Sequence, residues 1–225
     1  MSPPPATTLR PVDPSPFAHT VTDPAELATL YRAVSPVAAV KTRPSIDAAS
    51  AAFIARSTFV VIGTTSADGS HDVSPRGGPP GFLRVLDPSR LVMADLSGNN
   101  RLDCIRNIIE TGRIGLLAFV TGQHETVRIN GDAWLTTDPE LLDGFPPGLR
   151  RPAAAIGIRV AETFMHCAKS LRRAGIWDPA SWRAHEAPDG AAILACQGVV
   201  PGLGEAEIRA TLAQSYDSSL ADERT

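Results

Sequence analysis

The sequence predicts a mainly β fold with flanking helices, arranged as a small closed barrel. Three observations carry that expectation: six or seven runs of strand length, turn signals between them, and a single strongly amphipathic helix set among them. A βαβ sheet would alternate strands with helices throughout. At 225 residues, and about 150 per domain, the length suits one generous domain with extensions.

The elements follow in order. Residues Met1 to about His19 are rich in proline and poor in apolar periodicity, so they read as an arm that wraps a surface or stays mobile. Nine of the 20 prolines fall within the first 44 residues. Asp23-Pro24-Ala25-Glu26 is a helix start, and Leu27, Leu30, Tyr31 and Val34 recur at helical spacing behind it. A second helix is expected from Asp47 to Arg56, capped by Ser45 or Asp47.

From Ser57 the period changes. Thr58 to Thr65 is a β-branched and aromatic run, Ala67-Asp68-Gly69-Ser70 is a hairpin signal, and His71 to Ser74 returns antiparallel. Phe82–Leu86 and Arg90–Ala94, joined at Asp87-Pro88, make a second pair. The helix from Asn99 to Glu110 has Leu102, Ile105, Ile108 and Ile109 on one face and ends at Gly112. Arg113–Val120 and Glu125–Thr137 are two further strands, the second alternating Val127, Ile129, Gly131, Ala133 and Leu135 with polar residues. Asp138-Pro139-Glu140 opens a short helix, Ala154–Thr163 is the last strand, and Phe164–Gly175 turns helical. Beyond Trp177 no period dominates until Leu203–Tyr216, a C-terminal helix. The division is thus an N-terminal arm with helices (1–56), a barrel core (57–179) and a C-terminal extension (180–225).

Composition narrows the function. With 21 Lys and Arg against 24 Asp and Glu, the net charge of −3 points away from nucleic acid. No run of about 18 apolar residues predicts a membrane span, and the start Met1-Ser2-Pro3-Pro4-Pro5 has no secretory leader pattern, so a cytoplasmic location is expected. The odd count of three cysteines, Cys104, Cys167 and Cys196, suits neither a disulfide framework nor a zinc site and reads as buried free thiols. Five scattered histidines give no reason to expect a metal. Phosphate-loop, dinucleotide, zinc-protease and nucleophile-elbow motifs are all missing.

Four segments remain as candidates. Ser74-Pro75-Arg76-Gly77-Gly78 places one arginine in a Gly- and Pro-rich strand exit, where backbone amides can approach a ligand, although a solvated loop would look the same. Asn99-Asn100-Arg101 lies between a strand and a helix expected to start near Asn100; a helix N-terminus with free N–H groups and an arginine suits a phosphate, or is an ordinary cap. Thr126 and Arg128 share a strand face with Asn130 and Asp132, which faces water or lines a pocket. Lys169 and Arg173 are helical i, i+4 neighbours able to grip a dianion, or part of a solvated face, with Trp177 just beyond.

Three separated motifs carry a family resemblance: Ala67-Asp68-Gly69 with Asp72-Val73-Ser74-Pro75-Arg76-Gly77 and Pro80-Gly81-Phe82; Gly98-Asn99-Asn100-Arg101 with Asp103 and Asn107-Ile108; and Glu125-Thr126-Val127-Arg128-Ile129-Asn130-Gly131. Together they resemble the pyridoxamine 5′-phosphate oxidase-like flavoproteins, and the tail from His166 to Pro179 resembles a bacterial subgroup of that family. The likeness spans about Pro24 to Pro179. It implies an FMN-binding split β-barrel that is homodimeric, with a flavin at the subunit interface for each protomer. The implied phosphate ligands are Asn99, Asn100 and Arg101, with Ser74, Arg76 and Gly77 along the flavin and Thr126 and Arg128 facing it. Lys169, Arg173 and Trp177 would come from the partner subunit.

By the same resemblance the chain is an FMN-dependent oxidoreductase that moves a hydride through flavin N5 to or from a small molecule. The vitamin B6 oxidases themselves end in a segment bearing an Arg and a His that hold substrate phosphate. Residues 205–225 have no equivalent, so pyridoxamine 5′-phosphate is not the expected substrate. The alternatives on this fold are an F420-dependent reductase and a non-enzymatic module binding flavin or haem.

Overall fold

Period two in the apolar residues makes strands such as β1 (Phe59–Thr65) and β5 (Arg113–Phe119) bury one face, and seven strands in all organise the molecule. The computed structural model describes residues 11–222, so the first ten residues of the predicted arm lie outside the described part. From 11 to 45 no side chain is buried. A 3₁₀ turn at Pro24–Glu26, capped by Asp23, leads into α1 (Leu27–Leu30), which stops at an extended Tyr31. The predicted amphipathic stripe to Val34 is thereby cut short, and Leu27, Leu30, Tyr31 and Val34 are exposed. Pro36 starts a separate helix, α2 (Pro36–Val40), and holds Ser35 in extended backbone. α3 (Ala48–Ile54) forms as expected, with Asp47 accepting the Ser50 N–H at 2.9 Å.

Next come β1 (Phe59–Thr65), β2 (His71–Gly77), β3 (Leu83–Asp87) and β4 (Arg90–Asp95), then α4 (Asp103–Thr111), β5 (Arg113–Phe119), β6 (Thr126–Thr136), α5 (Pro139–Asp143) and β7 (Ala154–His166). After them lie α6 (Lys169–Ala174), two 3₁₀ turns, α7 (Gly190–Gln197) and α8 (Glu205–Asp222). The strands make one antiparallel sheet in the order β2-β1-β5-β6-β7-β4-β3. Among the described residues its ladder does not close between β2 and β3, so the closed barrel expected above is an open, curved sheet.

The inner face is one continuous core. Val60 and Ile62 of β1, Leu116 of β5, Ile129 of β6, Ile156 of β7 and Met93 of β4 meet Ile54 from α3 and Ile105 and Ile108 from α4. A smaller cluster, with Val92, Ala155, Leu142 and Phe145, seals α5 onto the far side of β4 and β7. The longest ladder, β6 with β7, carries a bulge at Asn130/Gly131. There a Cβ on residue 131 would collide with the Arg159 carbonyl oxygen, so glycine is required by the close approach of two backbones.

Several boundaries differ from the sequence reading, each for a local reason. β2 runs on through Pro75 to Gly77, which an edge strand tolerates because its outer side needs no N–H donor. β7 continues to His166, pinned by β6 and by a bridge from Arg43 to Thr163, so the helix expected from Phe164 shrinks to α6. On α4 the buried residues are Cys104, Ile105, Asn107 and Ile108, while Leu102 and Ile109 are exposed. Of the three thiols only Cys104 is buried; Cys167 and Cys196 are exposed, against the expectation for them. Among the described residues no helix is long and apolar enough to cross a membrane, and no group of three or more His, Cys, Asp or Glu is placed to hold a metal.

Candidate functional site

Curvature brings β2 and the loop after β4 together, and a cavity of about 390 Å³ lies between them. Ser74, Arg76 and Gly77 line one wall, Ser97, Gly98 and Asn99 the other, and Leu220 of α8 reaches its rim. Alternation along β2 turns Ser74 and Arg76 to the same side. Arg76 Nη1 donates to Asp95 Oδ1 at 2.9 Å, while Arg76 Nε is buried with no hydrogen-bond partner in the protein. Burial pushes the Asp95 carboxyl above its ordinary value and the Arg76 charge works against that rise.

The loop after β4 is not the helix start the sequence suggested. Asn100 and Leu102 both have left-handed backbone, with φ of 54° and 62°, which breaks the α pattern, so α4 begins only at Asp103. The Leu102 cap offers no side-chain acceptor. Asn99 Oδ1 accepts the Arg101 N–H at 3.1 Å, and Arg101 Nε donates to Asp103 Oδ2 at 2.6 Å. Of the three residues Asn99 lines the cavity; Asn100 and Arg101 are exposed beside it. Behind the loop, buried Asn107 donates to Thr64 Oγ1 at 3.0 Å and Asp72 Oδ2 at 2.8 Å, fixing α4 on the hairpin that carries Ser74 and Arg76.

Thr126 and Arg128 belong to a second group, on β6 and β7, and do not line that cavity. Thr126 is buried opposite His166 in the ladder, and Arg128 lies opposite Phe164. Arg128 Nη2 and Asn130 Nδ2 both donate to Glu162 Oε1 at 2.7 Å. The Arg128 guanidinium stacks 4.2 Å from the centre of the Phe164 ring, an attraction of a cation to a π face.

The tail residues are placed apart again. Lys169 and Arg173 are exposed on α6, one turn from each other, without an ion-pair partner among the described residues. Trp177 Nε1 donates to the Gln123 carbonyl oxygen at 2.6 Å, which folds the tail back onto the β5–β6 turn of its own chain. The sequence reading missed Asp95 as the partner of Arg76, and Lys41, Glu162, Phe164 and His166 around Arg128. Strand parity on β6 put Arg128 on an outward face, but only the register with β7 says who stands opposite it.

A family model described as pyridoxamine 5′-phosphate oxidase matches residues 46–167. No curated protein matches the chain significantly. Among solved structures the chain resembles a candidate pyridoxamine 5′-phosphate oxidase from Lactobacillus delbrueckii, at 22% identity and a TM-score of 0.44 over 56% of this chain and 99% of that one. It also resembles HupZ of Group A Streptococcus, at 16% identity and a TM-score of 0.42 over 53% of this chain and 93% of that one. A third is an FMN-binding protein from Syntrophomonas wolfei, at 11% identity and a TM-score of 0.40 over 52% of this chain and 83% of that one. The family match takes in β1 to β7, with the cavity walls and the Arg128 group, and covers more than half of the chain; the protein belongs to the pyridoxamine 5′-phosphate oxidase family.

Proposed function

We propose that the protein binds FMN and acts as a flavin-dependent oxidoreductase on a small molecule. The observation that carries this reading is the cavity between β2 and the loop after β4, where the buried Nε–H of Arg76 waits for an acceptor. A phosphate oxygen is the acceptor that such a donor favours. Ser74, Arg76, Gly77 and Asn99 fit the phosphate end of the cofactor, with Asn100 and Arg101 at the mouth. Thr126 and Arg128 stand on the opposite face of the sheet from Ser74 and Arg76, so they would face the ring of a cofactor held across the dimer. When bound, FMN supplies hydride transfer through N5. The protein's part is to anchor the phosphate, hold the ring in place and keep a cation near it.

In this reading the working unit is a homodimer, with Lys169, Arg173 and Trp177 completing the neighbour's site. Its support is the outer face of β1 and β2, where Phe59 is 40% and Val73 73% exposed, an apolar surface of the kind that seeks a partner. The test is the spectrum of the purified protein and a titration with FMN. Yellow protein, or micromolar binding of added FMN that weakens in Arg76→Ala and Lys169→Ala, supports the proposal. A colourless protein that ignores FMN sinks it, and selective uptake of F420 instead reassigns the cofactor. Turnover of reduced cofactor with oxygen or a quinone separates an enzyme from a storage module.

A further inference from the structure

Phe164 sits among basic side chains drawn from three stretches of chain. Arg128 Cζ lies 4.2 Å and Lys41 Nζ 4.7 Å from its ring centre, and the His166 ring centre is 4.8 Å away. Lys41 is held there by the backbone. Arg43 and Thr163 exchange N–H···O bonds of 2.9 and 2.8 Å, which sets the arm against β7, and Lys41 Nζ donates to the Met165 carbonyl oxygen at 2.9 Å. An ammonium has three donors, so two remain. Arg128 Nε is buried without a hydrogen-bond partner.

The charges do not balance. Two permanent cations face one carboxylate, Glu162, which is shared between Arg128 and Asn130. Burial, then Lys41 and Arg128, push the His166 imidazole below its ordinary value. Gathering like charges in a half-buried place is unfavourable until an anion joins them. The ring that orders these cations is occupied by them, so the donors left around it suit a compact anionic group and not an aromatic one.

We propose that Lys41, Arg128 and His166, arranged around Phe164, form a binding site for the carboxylate or phosphate group of the small-molecule substrate, apart from the cavity at Arg76. Only the word substrate rests on the flavin reading; the anion site stands on its own geometry. Lys41 lies outside the matched span 46–167, so the arm adds this cation to what the matched segment provides.

The test uses the full chain, followed by the NMR signal of the His166 Cε1–H, assigned with His166→Gln. Sodium phosphate and sodium acetate are titrated at fixed pH and ionic strength, with and without FMN. The expected result is a saturating shift that persists with FMN bound. Affinity should fall about tenfold in Lys41→Met, the size of one charge-assisted contact, recover in Lys41→Arg, and stay unchanged in Arg209→Ala. Lys41 is on the surface arm, so its loss does not threaten folding. No saturating shift, an unchanged affinity in Lys41→Met, or loss of the response when FMN binds would each overturn the proposal. The last result would make the flavin's own phosphate the occupant. Failure to bind FMN at all shows separately in the absorbance, and counts against the flavin reading while the phosphate response is still read.

Discussion

Arg76 and Asp95 meet at 2.9 Å although β2 stands at one end of the sheet and β4 is next to the other. No ladder joins those ends, so a side-chain ion pair spans the gap that the backbone leaves open. Both side chains are about one-fifth exposed, at 21% and 20%.

Removing one partner leaves the other poorly solvated. Arg76→Met should destabilise the flavin-free protein at pH 7 by about 1–3 kcal/mol. Burial raises Asp95, so the folded protein holds that proton more tightly than the unfolded chain; this group's contribution is most favourable in acid and is lost as pH climbs through its folded value. Without Arg76 the rise is larger, so the defect in urea unfolding should shrink from pH 7 to pH 4. A defect of equal size at both values would contradict this account.

Asn107 ties α4 to two strands with one amide. Asn107→Leu strands the acceptors on Thr64 and Asp72 and should lower stability by about 1–3 kcal/mol. In a chain of this size each kcal/mol is about 2–4 °C in Tm, which differential scanning calorimetry resolves.

Two glycines within the matched segment make opposite predictions. Gly131→Ala drives a methyl into the Arg159 carbonyl at the bulge, and the cost should reach roughly 3 kcal/mol, the upper range for overpacking. Gly98→Ala meets no atom within 4 Å and should stay within about 0.5 kcal/mol of the parent. Paired urea curves on the two variants check the contrast.

The proposed homodimer has its own assay. Sedimentation velocity should give a dimer for the parent chain and a monomer for Val73→Asp, because a charge on an exposed strand position spoils an apolar contact without touching the core. Weakened FMN retention in that monomer would tie the site to the interface. A parent chain that sediments as a monomer with FMN bound would end the interface model.

The sequence was a good guide wherever a local rule decides the outcome. Runs of strand length and the turn signals between them placed all seven strands, Asp47 and Asp138 capped the helices they were expected to cap, and the Gly-rich exit after Ser74 became a cavity wall. It was a poor guide wherever distant residues decide. The left-handed turn at Asn100 and Leu102 has no glycine to announce it. Lys41 reaches Phe164 across more than a hundred residues, and the end of β7 is fixed by partners on either side of it. Thr126 and Arg128 stand on one face of β6, as alternation predicts, yet their neighbours follow only from register.

The isolated bridge between Arg43 and Thr163 separates two kinds of dependence in this chain. Everything from residue 11 to 45 could be exchanged without disturbing the core, since none of it is buried. Lys41 nevertheless sits at the hinge of that dispensable segment. If Lys41 holds the proposed anion, ligand preference can be altered from the arm while the sheet that keeps the molecule folded is left as it is.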